Sequence, residues 1–169
     1  MNKLLKITFL LLLTSASLKL SAQNKMGHIN SNDLLVMIPE RKQAETTLQD
    51  YAKQLEDQLK TMSGEYDAKV QEYQSKEATM TDIVKQDKVK EIGNLEQRIK
   101  DFQAKAQDDL QKKEAELLKP IIDKAKKAIE DVAKEGGYRY VFDTSSGVIL
   151  YMEESDNIMN QVKKKLGLM

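Results

Sequence analysis

The sequence predicts a mainly helical chain with a small β-rich body, in which a long antiparallel helical hairpin, a coiled-coil arm, is inserted between the strands of a small sheet. Two patterns predict this fold class. Apolar residues recur every three or four positions through the middle of the chain, and β-rich runs occur near its two ends. Charged residues make up 32% of the sequence and aromatic residues 5%, which favours an elongated helical oligomer over a compact globule.

The N-terminal segment 1–22 has the features of a secretory signal peptide. Two lysines precede an apolar core at residues 7–13, and small residues lead up to Ala22. The sequence therefore predicts cleavage between Ala22 and Gln23 and one mature chain over residues 23–169. A membrane anchor is the alternative, but the apolar run is far shorter than the ~20 residues of a spanning helix.

Charge and cysteine content exclude several classes of protein. The chain has 27 basic and 27 acidic residues, and because three of the lysines lie in the leader, the mature chain is slightly acidic. A nucleic-acid-binding domain would carry a basic excess on one face, so no nucleic-acid partner is expected. There is no cysteine, so disulfides cannot stabilise this exported chain and packing must do so.

Short elements are predicted before the hairpin. Met26–Ile29 is a strand candidate, and residues 30–33 are rich in side chains that favour helix N-termini. Residues 34–38 can follow as a turn or two of helix. Pro39 suits the first turn of the next helix. Proline has no backbone N–H, and an N–H in the first turn would have no helical acceptor.

The hairpin is predicted from a narrow apolar seam, the stripe along which two helices would pack. The seam breaks near residues 79–82, where Thr81 or Asp82 can cap a second helix, so the tip is predicted near residues 79–84. Its members lie at spacings of three or four: Leu48, Ala52, Leu55, Leu59, Met62, Tyr66, Val70 and Tyr73 before the break, and Ile92, Leu95, Ile99, Phe102, Ala106 and Leu110 after it.

Matching the two halves of the seam predicts a register. It sets Leu48 opposite Leu117, Leu55 opposite Leu110, Tyr66 opposite Ile99, Val70 opposite Leu95 and Tyr73 opposite Ile92, with the tip centred near Asp82-Ile83. One continuous helix that dimerises is the alternative, and the capping residues favour the hairpin. Lys69 and Lys76 occupy seam positions, so the tip half is expected to be the least stable part of the arm.

The arm is predicted to span residues 39–135, with the body formed by residues 23–38 and 136–169. Gly136 is expected to end the second helix as its C′ residue. Pro120 is expected to bend that helix, either as a hinge near the base of the arm or as a static kink.

Two β-rich runs follow, at residues 138–143 and 148–152, separated by turn chemistry at residues 144–147. The ends of the chain are therefore predicted to meet in one small sheet. Asp156 can cap a final short helix. One face of that helix is apolar and carries Ile158, Met159, Val162 and Leu166.

No catalytic constellation is found. His28 is the single histidine, so neither a histidine-based metal cluster nor a Ser-His triad can form. The carboxylates alternate with lysines on solvated helix faces, where nothing would shift their pKa values. The sequence therefore predicts a protein that is not an enzyme and binds no cofactor or metal, and His28 is interpreted as a strand or interface residue.

Four stretches carry a family resemblance: MGHIN, SNDLLVMIPE, AIEDVAKEGGYRYVFDTSSGVILY and NIMNQVKKKLGL. In this order they resemble the OmpH/Skp family of periplasmic outer-membrane-protein chaperones. The resemblance covers nearly all of the mature chain and is most specific at the first strand and at the helix-glycine-strand ending.

The resemblance implies a jellyfish-shaped homotrimer in the periplasm that holds unfolded outer-membrane β-barrel proteins without ATP. Four seam or tip residues are candidate client contacts, unless they only form the seam within the hairpin: Met62, Tyr66, Tyr73 and Met80. The candidate residues of the trimer body are Ile29, Tyr140, Val141, Phe142, Val148, Ile149 and Leu150. A lipopolysaccharide-binding patch is not carried over, because family members are often basic and this mature chain is not, so contact with lipopolysaccharide or a membrane surface stays open. A coiled-coil hairpin that acts as an adaptor between envelope components is the alternative function.

Overall fold

The computed structural model describes residues 25–169, so the predicted leader and its cleavage site at Ala22 and Gln23 lie outside the described residues. The predicted fold class is confirmed: the chain is mainly helical, and its two long helices lie in sequence between the strands of a two-stranded sheet. The elements are β1 (Met26–Ile29), α1 (Ser31–Met37), α2 (Pro39–Lys76), a 3₁₀ turn (Glu77–Thr79), α3 (Asp82–Gly136), β2 (Tyr140–Asp143), a second 3₁₀ turn (Glu154–Asp156) and α4 (Met159–Leu166).

The chain divides into two compact units. The sheet unit contains residues 25–37 and 124–169, and the hairpin unit contains residues 38–123. Residues 124–135, which the sequence analysis assigned to the arm, therefore group with the sheet. This last part of α3 has a buried face of its own, made by Ala125, Ala128 and Val132.

The sheet joins the two ends of the described chain, as predicted. β1 and β2 are parallel, with Met26 paired to Tyr140 and Ile29 paired to Asp143. Parallel strands cannot be joined by a tight turn and need a long crossover. In this chain the crossover is the pair of long helices.

The inner face of the sheet packs closely on residues that flank the helices. A Cβ atom at Gly27 would lie 3.0 Å from Ile158 Cγ2 and 3.0 Å from the Tyr138 ring. Such a contact is tight, so the absence of a side chain at Gly27 lets β1 approach these two residues. Ile29, on the same face of β1, is 2% exposed, and the buried core of the unit also includes Leu34, Ile158 and Val162.

The prediction that the second β-rich run, residues 148–152, forms a strand is wrong for the single chain. Residues 148–152 form neither helix nor strand, although the turn before them is present: Gly147 has a φ of 68° and its N–H donates to the Thr144 carbonyl at 3.2 Å. β2 pairs with β1 instead of returning on its own C-terminal neighbour. Strand propensity alone cannot form a strand, because a strand requires an edge with which to pair.

The helix ends follow the predicted chemistry, with two corrections. Asn30 caps α1, since its Oδ1 accepts from the N–H groups of Asn32 and Asp33. α3 ends at Gly136, but the left-handed residue is Gly137, with a φ of 67°. Asp156 does not cap α4. It lies in the second 3₁₀ turn, and the Asn157 side chain accepts from the Met159 N–H at 3.0 Å.

The hairpin of two antiparallel helices is confirmed in the hairpin unit. All fourteen predicted seam residues are buried or half-buried, and Leu95 is 3% exposed. Two ion pairs cross from α2 to α3: Lys69 Nζ lies 2.5 Å from Glu91 Oε1, and Lys88 Nζ lies 3.8 Å from Glu72 Oε2. From the first pair to the second, the residue number on α2 increases and the residue number on α3 decreases, so the two helices are antiparallel.

The predicted register and tip centre are wrong. Asp82 and Ile83 belong to the first turn of α3, and the connection precedes them. Near the tip, the two crossing ion pairs show that α3 is shifted along α2 by about one helical turn relative to the predicted alignment. At the other end of the hairpin Leu48 and Leu117 still line one small cavity, of about 60 Å³.

Pro120 lies within α3, which continues on both sides of it. Its ring removes the backbone donor that would otherwise bond the carbonyl four residues earlier. A hinge at this position stays a prediction.

Candidate functional site

The predicted body residues separate into buried and exposed sets. Ile29 belongs to the chain's own core, and Val141 and Ile149 are half-buried. Tyr140 and Phe142 are 54% and 45% exposed, and their rings lie 6.4 Å apart on one face of β2. Met26 pairs with Tyr140, so its side chain lies on the same outer face and is 45% exposed.

An uncovered apolar segment continues from this face. Val148 is 77%, Leu150 97% and Tyr151 78% exposed. Together with the outer face they form what we call the body apolar surface: Met26, Tyr140, Phe142, Val148, Leu150 and Tyr151. Met26, Phe142 and Tyr151 also line a cavity of about 290 Å³. An apolar area of this kind on a small unit is typical of a surface that is covered by a partner.

His28 fastens the C-terminal segment to the sheet. It is 7% exposed, its Nε2 lies 3.0 Å from the Glu153 carbonyl, and its own carbonyl accepts from the Ile158 N–H at 3.0 Å. This arrangement agrees with the interpretation of His28 as a strand residue. The two hydrogen bonds also fix the C-terminal end of the segment that carries Leu150 and Tyr151.

Asp143 joins the end of β2 to the start of α1. Its carboxylate accepts from the Ser31 N–H at 3.1 Å, the Ser31 hydroxyl at 2.6 Å and the Ser145 N–H at 3.0 Å. Partial burial pushes the pKa of Asp143 upward, but the hydrogen bonds from Ser31 and Ser145 outweigh it, so the pKa lies below its ordinary value. The ionised form is therefore the one that stabilises this corner.

Replacing Asp143 with Asn is expected to destabilise the sheet unit by ~1 kcal/mol at neutral pH, because a neutral amide accepts these bonds less strongly. A carboxylate with a lowered folded pKa contributes stability above its unfolded pKa and loses it as pH falls through the folded value. The difference between wild type and Asp143→Asn in urea unfolding should therefore shrink as the pH falls below about 4. A difference that does not change with pH would contradict the role of the charge.

The predicted client contacts lie mostly inside the hairpin. Met62, Tyr66 and Tyr73 are half-buried along the seam, and Met80 is half-buried in the connection between α2 and α3. This arrangement corresponds to the alternative in which they form the intra-hairpin seam.

Other residues of the hairpin unit are uncovered and were missed by the sequence analysis. Within residues 38–123, all of which the structure describes, the exposed large apolar side chains are those of Ile83, Val84 and Val89, at 75%, 41% and 54%. We call these three residues the tip apolar surface. They were detectable as apolar residues that lie next to the predicted turn but outside the seam.

Basic side chains of the sheet unit are largely engaged with nearby acceptors. Lys165 pairs with Glu135 at 2.5 Å, and Lys127 pairs with Asp131 at 3.5 Å. Lys25 donates to the Gly136 carbonyl at 2.8 Å and lies 4.1 Å from the centre of the Tyr138 ring.

Over the described range 25–169, no cluster of three or more His, Cys, Asp or Glu side chains could hold a metal ion. In the same range, no helix is long and apolar enough to cross a membrane.

Comparison with known proteins gives a consistent family. A family model described as outer membrane protein (OmpH-like) matches residues 25–166. A curated protein of Aquifex aeolicus (strain VF5), described as uncharacterized, is 36% identical over 87 residues, which is 52% of this chain and 52% of the relative. The chain thus aligns with about half the length of that relative.

A solved structure shares the fold. It is a Caulobacter crescentus CB15 protein described as an OmpH-like outer membrane chaperone, with a TM-score of 0.73 and 12% sequence identity. The match covers 86% of this chain and 85% of that one. Because the family model spans most of the chain, the chain belongs to the OmpH-like outer membrane protein family.

Proposed function

We propose that this chain is an ATP-independent periplasmic holdase that binds unfolded outer-membrane β-barrel proteins and prevents their aggregation before membrane assembly. The observation that carries the proposal is the tip apolar surface, which leaves apolar side chains uncovered on an otherwise charged hairpin. Uncovered aliphatic side chains on thin helices give weak, adaptable contacts, and many such contacts suit a partner without fixed structure. Membership of the OmpH-like family supports the same function.

The proposed working form is a homotrimer held by the body apolar surface. Leu150 is 97% and Val148 77% exposed in the single chain, and the run that contains them has strand propensity but no strand partner within the described residues. A neighbouring copy offers the same uncovered surface and the same free sheet edge. Self-association would therefore bury the apolar side chains and could supply the missing pairing.

The proposed location is the periplasm. The family resemblance, the basic and apolar start of the sequence and the small residues before Ala22 support export with cleavage before Gln23. N-terminal sequencing of the protein recovered from the periplasm of its host tests this directly, and a chain that begins at Met1 would contradict cleavage.

The holdase function is tested by light scattering when a urea-unfolded outer-membrane β-barrel protein is diluted into buffer with the mature chain. We expect the chain to suppress scattering without ATP, because it covers apolar segments of the client before they associate. A variant that combines Ile83→Ser, Val84→Ser and Val89→Ser should suppress less. The matched control, Val36→Ser with Met169→Ser, removes exposed apolar groups from the sheet unit and should behave as wild type.

The outcomes separate two claims. No suppression by the wild-type chain would contradict the holdase function. Full suppression by the triple variant would leave that function in place and would contradict only the role given to the tip apolar surface.

An adaptor function is the second candidate, and the confinement of exposed apolar groups to the turn end of the hairpin favours it. A compact surface of three side chains could bind one folded envelope protein in a fixed pose. The triple variant then loses a stable complex with a folded partner, and the wild-type chain shows no preference for unfolded proteins. The scattering assay distinguishes the two, since an adaptor leaves client aggregation unchanged.

A further inference from the structure

Charged residues replace apolar ones along the seam near the turn of the hairpin. Lys69 on α2 and Lys88 on α3 both lie at half-buried seam positions, with side chains 25% and 29% exposed. Each is surrounded by carboxylates from both helices. We call the connected set the distal charge network: Glu65, Lys69, Glu72, Lys76, Lys88 and Glu91.

The network is continuous and crosses between the helices. Lys69 Nζ lies 3.8 Å from Glu65 and 2.5 Å from Glu91. Lys88 Nζ lies 3.4 Å from the other oxygen of Glu91 and 3.8 Å from Glu72. Glu72 also accepts from Lys76 at 3.0 Å. Acidic and basic groups alternate throughout, so each charge is compensated by neighbours.

The rest of the seam is closed by apolar contact. Leu95, the first seam residue on α3 beyond Ile92, is 3% exposed, and the seam continues with Ile99 and Phe102. Burial of apolar surface is insensitive to acid and to moderate salt, whereas ion pairs near the surface are screened by salt. The two parts of the hairpin therefore respond differently to the solution.

We propose that the distal charge network is a latch that holds the turn end of the hairpin closed, and that this end opens before the rest of the hairpin when acid or salt weakens the network. When Glu91 loses its charge, the ammonium groups of Lys69 and Lys88 remain in the seam without their shared partner. The apolar seam residues beside the network, Val70, Tyr73 and Ile92, are only half-buried, so less apolar surface opposes opening there than at Leu95. Opening is local, since the apolar seam from Leu95 onward stays packed.

The protonation states give the direction of the pH dependence. Hydrogen bonds from Lys69 and Lys88 hold the pKa of Glu91 below its usual range, and the bond from Lys76 does the same for the pKa of Glu72. Such carboxylates stabilise the closed form above their unfolded pKa and cease to do so as pH falls through the folded values. Opening is therefore expected on the acid side of about pH 4.

At high pH the dependence has the opposite sign, because the closed form then loses stability as the pH rises. The hydrogen bond to Glu91 raises the pKa of Lys69, so its contribution is present below the unfolded value and lost as pH rises through the folded one. On α2 beside the network, the Tyr73 hydroxyl donates to the Glu77 carboxylate at 3.3 Å. Neutral pH therefore lies within the closed range.

Opening enlarges the uncovered apolar area at the tip. Val70, Tyr73 and Ile92 are half-buried between the helices beside the network. When the helices separate, these side chains join Ile83 and Val84 on the exposed surface. The latch is a property of the single chain and stands apart from the proposed chaperone function, whereas its use in client binding rests on that function.

Hydrogen exchange of the mature chain, followed by mass spectrometry, tests the latch. Raising salt from about 0.01 M to about 1 M shortens the screening length from ~30 Å to ~3 Å. We expect exchange in residues 69–92 to accelerate roughly tenfold relative to residues 99–110. Even acceleration along both segments would overturn the proposal.

Two variants sharpen the test at low salt and neutral pH. Glu91→Gln removes the shared carboxylate and should reproduce the effect of salt on residues 69–92. Glu96→Gln, the matched control, removes one exposed carboxylate that pairs with Lys100 at 2.6 Å on the same helix, and should not. Equal exchange in the two variants would overturn the proposal.

A third variant separates the latch from simple fraying of the turn. Combining Lys69→Leu with Glu91→Leu replaces the main crossing ion pair with an apolar one, which is often neutral or stabilising. We expect the salt response of residues 69–92 to fall to that of residues 99–110. An unchanged salt response would show that the tip frays independently of the network and would overturn the proposal.

Discussion

Replacing Leu150 with Asp is expected to convert the proposed homotrimer into monomers. The side chain is 97% exposed in the single chain, so a charge there costs little in the monomer but would have to be desolvated in an apolar interface. A buried unpaired carboxylate disfavours association by several kcal/mol, enough to shift the equilibrium by roughly a hundredfold or more. Sedimentation of wild type and variant at equal concentration measures the shift.

Val36→Asp is the matched control for Leu150→Asp. Val36 is 68% exposed on α1 in the same sheet unit, but it lies outside the body apolar surface. The control should remain assembled and keep its helix content. If Leu150→Asp stays trimeric while folded, the assembly surface has been assigned to the wrong residues.

Replacing Ile158 with Ala is expected to lower the free energy of unfolding of the sheet unit by ~2–5 kcal/mol. Its side chain is fully buried, and its Cγ2 would lie 3.0 Å from a Cβ placed at Gly27, so truncation leaves a cavity between β1 and the start of α4. Urea unfolding monitored by tyrosine fluorescence measures the change, since three of the six tyrosines, Tyr138, Tyr140 and Tyr151, lie in this unit.

Ile83→Ala controls for the change in side-chain size. Ile83 is 75% exposed, so its truncation should change stability by no more than ~0.5 kcal/mol. Similar midpoints for the two variants would contradict the description of Ile158 as a core residue that holds the sheet on the helices.

Periodicity predicted the seam of the hairpin residue by residue, because burial along one helix face follows directly from spacing. It did not predict the register. Apolar residues that repeat every seven positions can be matched in several alignments, and the predicted alignment of Tyr73 with Ile92 was one of them. The observed alignment brings Lys69 to Glu91 and Lys88 to Glu72, so charged seam residues distinguish between alignments that apolar contacts alone leave similar.

The ends of the chain were predicted where local chemistry decides the outcome. The turn at Gly147 and the apolar face with Ile158 and Val162 depend on neighbouring residues and were predicted correctly. The run that contains Leu150 was predicted as a strand and is not one, because pairing depends on an edge that the chain alone does not supply. Apolar composition likewise could not distinguish Ile29, which is buried, from Phe142, which is exposed.

The tip apolar surface shows a different limit of sequence reasoning. Size and adaptability make Tyr66 and Tyr73 candidate client contacts, but both are half-buried along the seam, as their spacing predicts. Ile83 and Val84 lie at the start of α3, and Val89 precedes the seam residue Ile92 by three positions, yet all three are exposed. Spacing alone therefore does not show where the apolar seam ends near the turn of a thin hairpin.

The most direct test of the account is the native mass of the mature chain, measured alone and after addition of a urea-unfolded outer-membrane β-barrel protein. We expect the mass of a homotrimer for the chain alone, and the mass of a trimer with bound client after addition, without ATP. A monodisperse monomer that forms no complex with the unfolded client would contradict it.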